Sequence, residues 1–304
     1  MPDTYQKMEI IFAGTSEFAV PSLKRLAENF FVRAVFTPPA KPKGRHLNLQ
    51  DTAVAILGKE LGLAVFEQNN IPSKMVKEAD LLITVSFGRI LKKEVITAPR
   101  LGSINLHPSL LPKYRGPAPI PWALIQGEKE TGITTYWMDE GMDSGPIILQ
   151  ERVAISEEDD AESLSSKLAE IGSKVLLKTI GMIEVQPKPQ EGEPSYGPKI
   201  ESQEIDWKKK NTEIFNLIRG LSPHPSAFTH YDTERLKILK SRCMNQSGNA
   251  GEILSVEKDG LIVGCGEGSL LIKILQPASR KVIPAKEWWN GVKNREFYFC
   301  CLTT

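Results

Sequence analysis

The run Asn105-Leu106-His107-Pro108-Ser109-Leu110-Leu111-Pro112 and, further along, Asp143 within Asp139-Glu140-Gly141-Met142-Asp143-Ser144-Gly145 offer an amide, an imidazole and a carboxylate. All three sit at strand-end or turn-like positions, where side chains from separate parts of a chain converge on one small molecule. Ile104 and Leu106 alternate with Asn105 and His107, so a strand ending at His107 turns the apolar pair to one face and the polar pair to the other. Pro108 has no N–H to donate, which ends the ladder and sends residues 109–116 into a loop. The three groups suit acyl transfer to an amine without a covalent enzyme intermediate. An Asn N–H and a protonated imidazole donate to a developing oxyanion, while a carboxylate beside the imidazole fixes its tautomer and favours its charged form. A protein nucleophile is not indicated: there is no Gly-x-Ser-x-Gly elbow, and none of the four cysteines lies near any of the four histidines in sequence. Singly, each residue also fits a plainer role, with His107 capping a strand end, Asn105 satisfying backbone groups and Asp143 turning between two glycines.

The elements that must position this trio follow from periodicity. Residues 9–13, 32–36, 64–66 and 80–85 read as strands, with helices over 19–27 and 52–61 between them. That alternation is the βαβ rhythm of a doubly wound parallel sheet, which places its ligands at the carboxyl ends of strands. Strand, Gly14, then helix is reminiscent of a dinucleotide site, but Gly-x-Gly-x-x-Gly is missing, so neither a nicotinamide nor a flavin cofactor is expected. Two β-rich runs, 131–138 and 147–153, flank the glycine turn and return Asp143 to the sheet edge near His107. A helix over about 160–183 then packs on the domain. Residues 184–198 hold four prolines and three glutamates, and 184–204 reads as a linker. Beyond it come a helix at 212–221 and strand-like runs at 251–256, 261–265 and 270–275 joined by hairpin turns, a pattern that suits a small barrel. The expected division is therefore a catalytic domain over 1–183, the linker, and a second domain over 205–304.

The stretch from Asn105 through Lys113-Tyr114-Arg115-Gly116, with Asp143, resembles the signature of the folate-dependent formyltransferases. Arg115-Gly116-Pro117-Ala118-Pro119-Ile120, Thr131-Gly132-Ile133-Thr134 and Met138 to Gly145 resemble, within that superfamily, the branch that acts on methionyl-tRNA. The likeness spans essentially the whole chain; Pro108 and Pro117 depart from the residues common at those places. It implies a Rossmann-like formyltransferase domain followed by an OB-type barrel, 10-formyltetrahydrofolate as donor and initiator methionyl-tRNA as acceptor. It also implies that Asn105, His107 and Asp143 are catalytic. Phe87, Gly88, Ile90, Ser109, Leu110, Leu111, Pro112, Asp139, Glu140 and Gly141 would hold the folate. The long connection 37–51 carries Lys41, Lys43 and Arg45 on a proline-stiffened backbone, followed by His46, and would reach the acceptor end of the tRNA. Lys208, Lys209 and Lys210 would add contacts from the second domain.

Composition agrees with this. The chain has 304 residues, 41% of them hydrophobic and 25% charged, enough for two globular domains with buried cores. Its net charge of +1 conceals an asymmetry, because residues 206–304 hold 15 Lys/Arg against 10 Asp/Glu, as expected for a module that binds a polyanion. No apolar run approaches a membrane span and no leader is evident, which points to a cytoplasmic protein without membrane contact, expected as a monomer. Cys243, Cys265, Cys300 and Cys301 lack metal-ligand spacing, so no metal is expected. Two alternatives stay open on sequence: a formyltransferase acting on a sugar-nucleotide amine, and an RNA-binding protein with a retired active site.

Overall fold

The computed structural model describes residues 8–43, 48–292 and 298–299. They fall into two compact units, the first within 1–119, 130–154 and 165–197, the second within 120–129, 155–164 and 198–304. The first contains β1 (Glu9–Gly14), α1 (Val20–Asn29), β2 (Phe31–Thr37), β3 (Lys41–Lys43), β4 (Asn48–Gln50), α2 (Ala53–Glu60), β5 (Val65–Glu67), α3 (Ser73–Val76), β6 (Leu81–Val85), α4 (Lys93–Ile96) and β7 (Gly102–His107). After α5 (Pro119–Ile125) come β8 (Glu130–Trp137), β9 (Ile147–Ala154) and α6 (Ala161–Ile180).

Among the described residues the first sheet runs β5-β2-β1-β6-β7-β8-β9. The strands from β5 to β7 are parallel neighbours, whereas β8 pairs antiparallel with both β7 and β9. All five residues of β6 are buried, as a central strand covered on both faces requires. α2 begins where the Thr52 hydroxyl accepts a hydrogen bond from the Ala55 N–H at 3.0 Å, which caps its N-terminus.

Two segments differ from the sequence reading. The connection 37–51 was expected to lack secondary structure, yet its ends pair as β3 and β4, with Lys41 opposite Gln50. Alternating polar and apolar residues give such a short ribbon little signal. Residues 188–197, inside the expected linker, hydrogen-bond to the first unit: Ile147 and Lys188 exchange backbone bonds of 2.6 and 2.8 Å. Arg115 N–H donates to Ser195 O at 2.9 Å and Gly197 N–H to Arg115 O at 2.8 Å. Proline removes only its own donor, so the residues between prolines remain able to pair.

The second unit holds β10 (Gln203–Glu204), α7 (Asn211–Leu221), β11 (Ala227–Tyr231), β12 (Glu234–Met244), β13 (Ile253–Glu257), β14 (Gly260–Gly264), β15 (Ser269–Pro277), β16 (Ile283–Pro284) and α8 (Ala285–Asn290). Its strands run β10-β11-β12-β15-β14-β13, antiparallel except for β10 with β11, in keeping with a small barrel-like domain. Tyr231 packs edge-on against Trp288 and Trp289 with ring centroids 5.0 and 5.9 Å apart, and Trp207 stacks on Phe299 at 5.7 Å. Among the described residues no helix is long and apolar enough to cross a membrane.

Candidate active site

Strand register assembles the site. β7 lies between β6 and β8, and in that register Thr84 is opposite Asn105, which is opposite Tyr136. His107 is opposite Thr134 in the next row. Because side chains alternate along a strand, these residues share one face of the sheet, while Leu106 and Ile133 turn to the other. There Leu106 and Ile133 approach Gly172 of α6, and Thr135 shares a 2.7 Å hydrogen bond with Thr179. Helix packing on one face thus commits Asn105 and His107 to the opposite one.

Hydrogen-bond directions within the polar row are fixed by its carboxylate. Asp143 accepts from the Tyr136 hydroxyl at 2.6 Å through Oδ1 and from the Gly116 N–H at 2.7 Å through Oδ2. Since the phenol donates to Asp143, its oxygen accepts from Asn105 Nδ2 at 3.0 Å. Thr84 Oγ1 donates to Asn105 Oδ1 at 2.7 Å, which leaves the second Asn105 N–H for a ligand. Asp143 itself sits at φ 50°, a backbone region uncommon outside glycine, held there by Gln190. The Gln190 amide donates to Asp143 O at 2.8 Å and to Gly145 O at 2.9 Å, while its oxygen accepts from both Arg115 Nε and Arg115 Nη2.

His107 is 5% exposed, with Nε2 at 2.9 Å from the Tyr114 carbonyl and Nδ1 at 3.6 Å from Asp143 Oδ2. A carbonyl only accepts, so Nε2 carries a hydrogen and its partner Tyr114 O sets the tautomer. The separation from Asp143 is too long for a direct hydrogen bond, so this carboxylate is not the tautomer-setting acceptor expected from sequence.

The loops named from sequence leave the sheet at two ends, residues 86–90 and 109–112 after the parallel strands β6 and β7, and residues 139–141 after the antiparallel β8, where Trp137 is opposite Ile104. Gly88, at φ 68°, would meet nothing within 4 Å with a Cβ added, so its backbone is open to approach, and Ile90 is 92% exposed. Phe87 is instead buried in the core, its carbonyl accepting from Thr15 Oγ1 at 3.0 Å. Ser109 is fully buried and its hydroxyl donates to Lys113 O at 2.6 Å. Leu111 N–H donates to Thr134 Oγ1 at 3.2 Å, and Leu111 O accepts from Gln150 Nε2 at 2.8 Å; Leu110 and Pro112 flank it. Asp139 accepts from Ser144 Oγ at 2.8 Å and from Gly141 N–H at 3.1 Å, and Glu140 pairs with Lys93 at 2.7 Å.

Of the basic residues, Lys41 is exposed on β3 and Lys43 ends that strand, while Arg45 and His46 lie outside the described residues. Lys208 and Lys209 are exposed, and Lys210 pairs with Glu267 at 2.6 Å, which raises its pKa above the ordinary lysine value chiefly through that hydrogen bond. Sequence reasoning missed Thr84, Tyr136 and Gln190. Alternation within β8 would have placed Tyr136 on one face with Thr134, but Thr84 shares its face with the apolar Leu82, and the register that aligns both with Asn105 is a property of the sheet. Among the described residues no group of three or more His, Cys, Asp or Glu is placed to hold a metal ion.

Comparison with known proteins follows the same division. The formyl transferase family matches residues 6–180, and the C-terminal domain of formyl transferases matches residues 199–293. A methionyl-tRNA formyltransferase of Thermodesulfovibrio yellowstonii is 43% identical over 299 residues, covering 94% of this chain and 97% of its own. One from Caldanaerobacter subterraneus is 44% identical over 292 residues, covering 90% and 94%. Among solved structures, an N-formyltransferase from Helicobacter canadensis, in complex with folinic acid and dTDP-3-aminofucose, matches with a TM-score of 0.68 at 22% identity over 88% of this chain and 99% of that one. HypX from Aquifex aeolicus in complex with tetrahydrofolic acid has a TM-score of 0.63 at 16% identity, over 97% of this chain and 51% of its own. These two share the fold. With sequence likeness running the length of both domains, this chain belongs to the methionyl-tRNA formyltransferase family.

Proposed function

We propose that this protein transfers a formyl group from 10-formyltetrahydrofolate to the α-amino group of methionine on initiator methionyl-tRNA, for translation initiation. The observation that carries the reading is sequence likeness through both domains to enzymes of that name. The folate supplies the formyl group as an N10-linked carbonyl; the residues at the strand ends fit it, with an open backbone at Gly88 and a donor left over on Asn105. In this reading the spare Asn105 N–H and the His107 ring face the formyl oxygen and stabilise the charge that develops there as the amine attacks. Asp143, held by Tyr136 and Gly116, stabilises the charged imidazole and takes up the amine proton, directly or through water. A new C–N bond forms to methionine, the bond from the formyl carbon to N10 breaks, and the proton ends on the departing nitrogen. No protein side chain becomes acylated.

Lys41, Lys43 and Arg45, with Lys208, Lys209 and Lys210, would position the acceptor by phosphate contacts. We place this activity in the cytoplasm, on a monomer. The test is transfer of labelled formyl from 10-formyltetrahydrofolate to charged initiator tRNA, with glycinamide ribonucleotide and a nucleotide amino sugar as competing acceptors. Label is expected on the tRNA; label confined to the nucleotide sugar or to glycinamide ribonucleotide would overturn the choice of acceptor.

A further inference from the structure

Tyr136 is an aromatic residue in the middle of a β-strand, 3% exposed, and the bland expectation for such a residue is core packing. Its hydroxyl is placed otherwise. It lies between two candidate catalytic groups, donating to Asp143 Oδ1 at 2.6 Å and accepting from Asn105 Nδ2 at 3.0 Å. We infer that Tyr136 is a positioning residue for formyl transfer, a phenol that couples the Asp143 carboxylate to the Asn105 amide and so aims the Asn105 N–H at the reacting carbonyl. The inference rests on the proposed function for its chemistry and on hydrogen-bond directionality for its mechanism.

The directionality runs in one sense only. An ionised carboxylate accepts and cannot donate, so the phenol proton points to Asp143 and the phenol lone pair points to Asn105. The Asn105 amide is thereby held with nitrogen toward Tyr136 and oxygen toward Thr84, whose hydroxyl donates at 2.7 Å. Flipping that amide would set its oxygen against the phenol oxygen, whose proton is committed to Asp143, so the bond to Tyr136 would be lost in a partly buried site at about 1–3 kcal/mol, even though the Thr84 hydroxyl can turn to accept from the nitrogen. Thr84, Asn105 and Tyr136 occupy neighbouring positions on three adjacent strands, so the row is as rigid as the sheet. Burial, followed by the adjacent Asp143 charge, pushes the Tyr136 ionisation well above the ordinary tyrosine value, which favours the protonated, donating phenol. A phenylalanine fills the same space and packs against the same neighbours, but leaves the amide free to rotate and Asp143 Oδ1 without its donor.

The experiment is steady-state formyl transfer by the full chain carrying Tyr136→Phe, with thermal unfolding measured alongside. Loss of a partner that orients a reacting group is expected to lower kcat by about 10- to 100-fold, by analogy with residues that orient metal ligands. KM for the folate and for the charged tRNA should stay at wild-type values, because Tyr136 touches the catalytic groups and not the substrates. Thr84→Val loosens the other end of the amide and should reproduce the loss of kcat, whereas Thr84→Ser retains the hydroxyl and should retain turnover. In Asn105→Ala, adding Tyr136→Phe should lower kcat by less than it does in the wild type, since one of the two groups it serves is already gone. Wild-type kcat in a folded Tyr136→Phe protein, a rise in KM without loss of kcat, or fully multiplicative losses in the double variant would each overturn the assignment. If Tyr136→Phe does not fold, the Thr84→Val and Thr84→Ser pair decides. Wild-type turnover of methionyl-tRNA separately tests the acceptor. Should the wild type formylate a nucleotide amino sugar instead, that reading falls, and the variant ratios are taken on the substrate it does use.

Discussion

At the scale of the residue, the trio is bound into a network, so its members should not behave independently. Removing one oxyanion donor from a water-poor site lowers the rate by about 100- to 1,000-fold, so Asn105→Ala and His107→Ala should each show losses of that size in single-turnover formylation while unfolding cooperatively near the wild-type temperature. If the two act on one developing charge, as proposed, combining them should lower the rate by less than the product. A folded His107→Ala protein with undiminished turnover would remove His107 from the mechanism. Cys265 gives a different test. Burial pushes its thiol from 9.0 up to about 12 in the folded chain. Below the unfolded value both states hold the proton and the contribution to stability is complete; above it the unfolded chain releases the proton first, so stability falls as pH rises through that window. The slope is about 1.4 kcal/mol per pH unit for one such group, and Tyr136, also raised, adds to it with the same sign. Urea unfolding followed across the alkaline range should therefore be steeper in pH for the wild type than for Cys265→Ala; equal slopes would show that Cys265 does not titrate as described. That Asn105, His107 and Asp143 come together was legible in sequence, because amide, imidazole and carboxylate at strand ends and turns converge where strands meet. Tyr136 was not, since nothing in a β-rich run distinguishes a tyrosine that packs from one that donates.

At the scale of the element, the loop after β7 is shaped by what β8 lacks. A Cβ on Gly132 would collide with Glu151 O and with Leu110 Cδ2, so β8 admits no side chain where the loop leans on it. Gly132→Ala should destabilise the fold by about 1–3 kcal/mol, in the range of overpacked sites, and should displace Leu110 and with it the loop over residues 109–112. Urea unfolding reads the first effect and KM for the folate the second; a variant of unchanged stability and KM would show that the loop yields freely. The β3–β4 ribbon carries a test of its own. If it meets the acceptor, Lys41→Ala and Arg45→Ala should raise KM for charged tRNA and leave KM for the folate unchanged. Each should also make the dependence of log affinity on log salt shallower by about 0.9 or somewhat less. Equal changes for both substrates with an unaltered salt slope would show a structural role. The central strands and long helices were readable because their apolar periods are sustained: within 80–85, Leu81-Leu82-Ile83 and Val85 are apolar around a single Thr84, and β6 occupies 81–85, buried throughout. The ribbon was not, because three-residue strands carry no period.

At the scale of the whole molecule, the two compact units are not consecutive in sequence. Residues 120–129 and 155–164 group with 198–304, and Ile125 packs against the core of that unit. A sequence-based boundary cannot anticipate this, since it presumes that neighbours along the chain stay neighbours in space. Substitution in the full chain is accordingly the cleaner probe: Lys208→Ala with Lys209→Ala should raise KM for tRNA alone. Exhaustive chelation should leave turnover intact, because oxyanion stabilisation here is assigned to amide and imidazole donors; activity lost to a chelator and restored by zinc would contradict that assignment. One feature also orders events in time. Asp143 is fastened through its backbone carbonyl by Gln190, a residue 47 positions later in the chain. Ribosomes deliver residues from the N-terminus onward, so β7, β8 and the Asp143 turn emerge with the partners of the carboxylate, Tyr136 and Gly116, already made but with the turn's backbone carbonyl unbraced, waiting for the strap to follow. The newly made protein thus completes this turn only after residue 190 has left the exit tunnel, and a chain released before that point would carry Asn105, His107 and Asp143 without the backbone brace on the last of them.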